Sequence, residues 1–80
     1  MLNFTTTTEN SNVIEQTANA DGHTATVAIY PVINRVGQTG AYDVIVSVDG
    51  AKVQEWRAPK SAVIPQLQYA GQAVAAKALQ

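Results

Sequence analysis

The sequence contains no cysteine and only one histidine, His23. Without thiols there is no disulfide framework and no thiolate ligand, and a lone imidazole cannot furnish a histidine-rich zinc site, so neither a metal centre nor another cofactor is expected. Charge is scarce too: 14% of the 80 residues are charged, and the net charge is -1. That balance generates no long-range field to concentrate nucleic acid or anionic membrane at the surface. No run of 18 apolar residues occurs, and Met1-Leu2-Asn3-Phe4 with the threonines behind it lacks the basic and apolar segments of a secretory signal. The expectation is a cytoplasmic protein with no membrane association. Bulky side chains are few, with one Phe, one Trp and one Met, so each buried residue contributes little area.

What is present is enough to fold. The chain is 46% hydrophobic, too apolar for a disordered segment, and its length sets the ceiling at one core. A homodimer is one way for so small a domain to add burial. Residues 1–11 are rich in threonine and asparagine without a period and read as a flexible N-terminal tail; residues 12–80 read as the domain. A short strand over 12–18 leads into the turn formers Asn19-Ala20-Asp21-Gly22. His23 to Ile33 is dense in β-branched and aromatic residues and reads as a strand, with Pro31 placing it at a sheet edge or a bulge there. After the loop Asn34 to Gly40, Asp49-Gly50 between Ala41–Val48 and Ala51–Ala58 is a strong hairpin signal.

The last block, with Ser61 as N-cap, traces a helix face through Val63, Leu67, Ala70, Gly71, Val74 and Ala78. Pro65 suits a first turn, so the regular helix is expected to begin near it, with 61–64 as a looser lead-in. The fold class is α+β: an antiparallel three- to four-stranded β-meander packed against one C-terminal α-helix.

A two-residue loop at Asp49-Gly50 assigns the faces of the hairpin. Tyr42, Val44, Val46, Val48, Ala51 and Val53 fall on one side, facing the small helix side chains Ala70, Gly71, Ala75 and Ala78. Asp43, Ile45, Ser47, Lys52, Gln54 and Trp56 fall on the other. An exposed tryptophan rimmed by polar groups has the character of an interaction hot spot. The candidate partner-binding set is therefore Trp56, Ile45, Lys52, Arg57 and Lys60, with Tyr30 and Arg35 from the preceding strand and loop. The bland alternative is that Leu2 and Phe4 of the tail cover this face.

No arrangement supports catalysis. His23 near Asp21 lacks a distinctive nucleophile, because hydroxyls are plentiful everywhere. Asp43 and Glu55 point to opposite faces in this register, and Gly37-Gln38-Thr39-Gly40 has no lysine for a phosphate loop. The chain reads as non-enzymatic, a protein-binding module. The alternatives are a weak nucleic-acid module that uses Lys52, Arg57 and Lys60 around Trp56, or a structural protein that self-associates through the same face.

From Tyr42 onward, strand, Asp-Gly turn, strand and Ala-rich helix resemble the second half of a double-stranded-RNA-binding domain. That family begins its last helix with a run of lysines, whereas Lys60-Ser61-Ala62-Val63-Ile64-Pro65 holds one. The format also resembles small phage-encoded anti-CRISPR proteins, several of which are cysteine-free chains of this size built as a β-meander plus a helix. That second resemblance implies a stoichiometric inhibitor that occludes a host protein complex.

Overall fold

Two Asp-Gly dipeptides organise the sheet. Asp21 and Gly22 take φ of 52° and 80°, Asp49 and Gly50 take 53° and 83°, and both pairs therefore form the left-handed two-residue loops that suit right-twisted strands. A computed structural model describes residues 2–80 and contains β1 (Thr5–Glu9), β2 (Ile14–Ala20), β3 (His23–Ile33), β4 (Thr39–Val48), β5 (Ala51–Pro59) and α1 (Ile64–Ala78). The strands form one antiparallel sheet in the order β1-β2-β3-β4-β5, and α1 packs on β3, β4 and β5.

The meander and the C-terminal helix are as the sequence implies, but the sheet has five strands rather than three or four. The additional strand comes from the segment read as a tail. Thr5 to Glu9 pair with β2, and Leu2 and Phe4 pack against the core cluster beside α1. Threonine is a good strand former because its branched side chain fits a pleated surface, and here β2 supplies the ladder partners that an isolated segment lacks.

β3 is the central strand, yet it accommodates Pro31. Ala20 and His23 flank the Asp21-Gly22 loop, so His23 and alternate residues after it direct their backbone groups toward β2. Pro31 lies in that series, and β2 reaches only as far as Ile14, opposite Ile29. Its missing N–H therefore falls where the sheet has locally become an edge.

One face of the sheet holds the core: Ala25, Val27, Ile29, Val44, Val46 and Ala58 are buried against Leu67 and Ala75 of α1. The expected facing of β5 needs correction. Ser47 stands opposite Lys52 but Val46 opposite Gln54, so Val53 is an extra, bulged residue. Beyond it the pairing is Val44 with Trp56, Asp43 with Arg57 and Tyr42 with Ala58. Trp56 and Gln54 consequently sit on the helix side, Glu55 and Arg57 move to the open side, and Val53 is exposed instead of in the core.

The helix begins one residue before Pro65, with Val63 rather than Ser61 at the N-cap. A helix capped at Ser61 would place Pro65 where its N–H is needed and its ring collides with the carbonyl four residues back. The buried positions of α1 are Leu67, Gly71 and Ala75, four residues apart, while Ala70 and Ala78 face solvent. Gly71 is required by contact: a Cβ there would lie 2.5 Å from Val27 Cγ1.

Candidate protein-binding face

The side of the sheet away from α1 carries the side chains that alternate with the core residues, and the strand register orders them in rows. Glu15, Ala28, Ile45 and Glu55 form one row across four strands. Thr5, Thr17, Thr26, Ser47 and Lys52 form a second, and Tyr30, Asp43 and Arg57 a third. Leu2 and Phe4 lie on the helix side, so they do not cover this face.

Its centre is apolar. Ala28, which stands opposite Ile45, is only 5% exposed although no helix or strand among the described residues lies over it, and Tyr30 remains 39% exposed. The rim is polar and largely self-neutralised. Arg57 donates from Nε to Asp43 Oδ1 at 2.8 Å and from Nη2 to Oδ2 at 3.2 Å. That hydrogen bond, with the guanidinium charge, holds the Asp43 carboxyl below the usual carboxylate range, and the same bond with the carboxylate charge raises the Arg57 pKa further. Lys52 Nζ donates to Glu55 Oε1 at 3.0 Å. On β1 and β2, the Thr7 hydroxyl approaches the Glu15 carbonyl and the Thr17 hydroxyl, each at 3.3 Å.

The sequence-derived set is thus divided. Ile45, Tyr30, Lys52 and Arg57 share the open face; Trp56 is on the other side, partly buried against the core. Lys60 lies in the turn after β5 and Arg35 in the loop between β3 and β4, so neither is part of the rows. Lys52 and Arg57 stand opposite Ser47 and Asp43, four residues apart along β4 or about 13 Å, and each is matched to a carboxylate. The cationic track that a phosphate backbone requires is therefore compensated on this face.

Ala28 and the ion-pair partners Asp43 and Glu55 were not in that set. Pairing of Asp43 with Arg57 depends on the bulge, for which Lys52-Val53-Gln54 gives no compositional signal. His23 also has a different partner: its Nδ1 is 2.6 Å from Asp49 Oδ2, while Asp49 Oδ1 accepts the Thr24 N–H at 2.9 Å and the Asp49 N–H donates to the Thr24 carbonyl at 2.8 Å. The Asp49 hydrogen bond and charge raise the His23 pKa; the same hydrogen bond, with the Thr24 N–H, lowers that of Asp49. This clip joins two turns at one end of the sheet.

No helix among the described residues is long and apolar enough to cross a membrane, and no cluster of three or more His, Cys, Asp or Glu among them is placed to hold a metal ion. Comparison with protein-family models, curated proteins and solved structures finds no match to the chain.

Proposed function

We propose that this chain is a non-catalytic, cytoplasmic protein-binding module that acts as a stoichiometric inhibitor of a host protein complex, occluding a partner's surface with the open face of its sheet. The observation that supports this reading is an uncovered sheet face with an apolar centre, Ala28, Ile45 and Tyr30, inside a rim of threonines and matched ion pairs. Protein interfaces have this anatomy: central side chains gain most when water is excluded by a polar surround of little energy of its own. Charges already paired within the face cost less to desolvate beside a partner than free ones. The helix is the scaffold in this reading, and Trp56 supports the scaffold instead of touching the partner.

The test is affinity capture from the native host with the wild type, Tyr30→Ala and Ile45→Glu, followed by reconstitution with the purified partner. Both variants should fold normally, lose binding by at least about tenfold and lose inhibition in proportion, and wild-type binding should change little with salt. Unchanged binding in Ile45→Glu, or binding that collapses as salt rises, overturns the reading and favours a phosphate-bearing ligand.

A further inference from the structure

The free edge of β5 is self-complementary, and we propose that the chain forms a symmetric dimer by antiparallel pairing of β5 with β5 of a second copy, centred on Trp56. The contact is made by the backbone edge of β5, although the side chains of Glu55 and Arg57 rim the open face, and it does not rest on the binding function.

The backbone sets the first constraint. Val48 and Ala51 flank the two-residue loop and pair with each other, so backbone groups then alternate along the strands between facing the neighbour and facing away. With Val53 bulged out, Gln54, Trp56 and Ala58 direct their backbone groups toward β4. Glu55 and Arg57 direct theirs outward, where no strand among the described residues meets them. Pro59 also points outward, so its missing donor costs the sheet nothing. The bulge at one end and Pro59 at the other confine pairing to the short stretch 54–58, since both features discourage a longer edge contact.

Charge sets the second constraint. Two outward-facing positions must meet for a ladder to form, which restricts two-fold antiparallel registers to centres on Glu55, Trp56 or Arg57. Centring on Glu55 or Arg57 opposes like charges. Centring on Trp56 places Glu55 across from Arg57 of the second copy, and Arg57 across from its Glu55, with each such pair exchanging both backbone hydrogen bonds. Because Arg57 already holds Asp43 and Glu55 already holds Lys52, the contact extends two ion pairs into a row of alternating sign: Asp43, Arg57, then Glu55 and Lys52 of the second copy.

The side chains complete the match. Trp56 lies on the helix side, partly exposed, and the two-fold axis brings both indoles together there, adding aromatic burial at the centre of the contact. An isologous interface of this kind closes on itself, giving a dimer rather than a fibre. The sheet becomes continuous through both copies, with the two helices on one side and the two open faces side by side on the other.

Sedimentation velocity on the full chain over a concentration series tests this. The wild type should shift from monomer to dimer. Glu55→Arg and Arg57→Glu should each weaken dimerisation by at least about tenfold, since each opposes like charges at both symmetry-related positions. An equimolar mixture of the two variants should dimerise again: one copy then carries arginine at both positions and the other glutamate at both, so opposite charges meet at each crossing. Glu55→Pro, which removes only an outward N–H, should keep the circular dichroism of the folded chain and remain monomeric. A wild type that stays monomeric up to millimolar concentration, or single variants that dimerise as well as the wild type, overturns the proposal.

Discussion

Trp56 stands directly opposite Val44, on the face of the sheet that carries the helix. Val44 is fully buried and Trp56 packs on the same core cluster, so the indole helps close the β5 side of a core whose buried residues are valine, alanine, one isoleucine and one leucine. Truncation to Ala should therefore be read first as a stability change. Trp56→Ala is expected to lose about 2 kcal/mol, less than a fully buried aromatic because the ring is partly exposed. Urea denaturation checks this, and a loss under about 0.5 kcal/mol would place the ring outside the core.

Gly71 meets Val27 across the helix–sheet contact. A methyl group at Gly71 would press on Val27 Cγ1 at 2.5 Å and Cγ2 at 3.1 Å, and Val27 is β-branched, stiff at χ1 and only 1% exposed. Gly71→Ala gains about 1 kcal/mol of helix propensity and incurs an overpacking cost of about 1–3 kcal/mol, so a net loss is expected. Thermal melts should show a lower midpoint. Val27→Ala combined with Gly71→Ala should be less destabilised than the two single changes together, the sign of direct coupling.

These two contacts mark what the sequence discloses. The Asp49-Gly50 hairpin, the helix that begins near Pro65 and the inward facing of Val44 and Val46 all follow from local turn chemistry and periodicity, and all are present. The facing of Trp56 does not follow, because the single extra residue at Val53 inverts every later position of β5 while leaving composition untouched. The strand at Thr5–Glu9 was hidden for another reason: threonine-rich segments acquire ladder bonds only when a partner edge is in place, which is a tertiary fact. Of the candidate face, Ile45 and Tyr30 were legible; its neutralised rim was not, since Arg57 reaches Asp43 only after the bulge.

The clip between His23 and Asp49 should give stability a pH dependence of defined sign. Folding raises the His23 pKa, so the protonated imidazole contributes fully below the ordinary value of about 6.5, and that contribution fades as pH rises through the raised value. Folding lowers the Asp49 pKa, so its contribution is present above the ordinary carboxylate range and fades as pH falls through the lowered value. Between those limits the clip is complete. The melting midpoint should therefore be highest in mildly acidic buffer and decline as pH rises through the raised His23 pKa. His23 is the only histidine, so His23→Gln should remove that decline; a profile that keeps its slope in the variant would assign the effect elsewhere.

Deleting Val53 should leave the fold intact. The bulged residue has no partner in β4, and its removal joins Lys52, opposite Ser47, to Gln54, opposite Val46, with both pairings preserved. Trp56 then stays across from Val44, and its fluorescence maximum should not move. The change in unfolding free energy should stay within about 1 kcal/mol, because what is lost is mainly one exposed side chain. A larger loss would mean that the extra twist of the bulge is needed to wrap β5 against α1. The deletion has a second consequence at the edge: bulges blunt exposed strands, and without this one β5 presents a regular row of outward backbone groups beyond the stretch 54–58. If β5 is the dimer edge, the deletion variant should dimerise at lower concentration than the wild type while melting at a similar temperature when dilute.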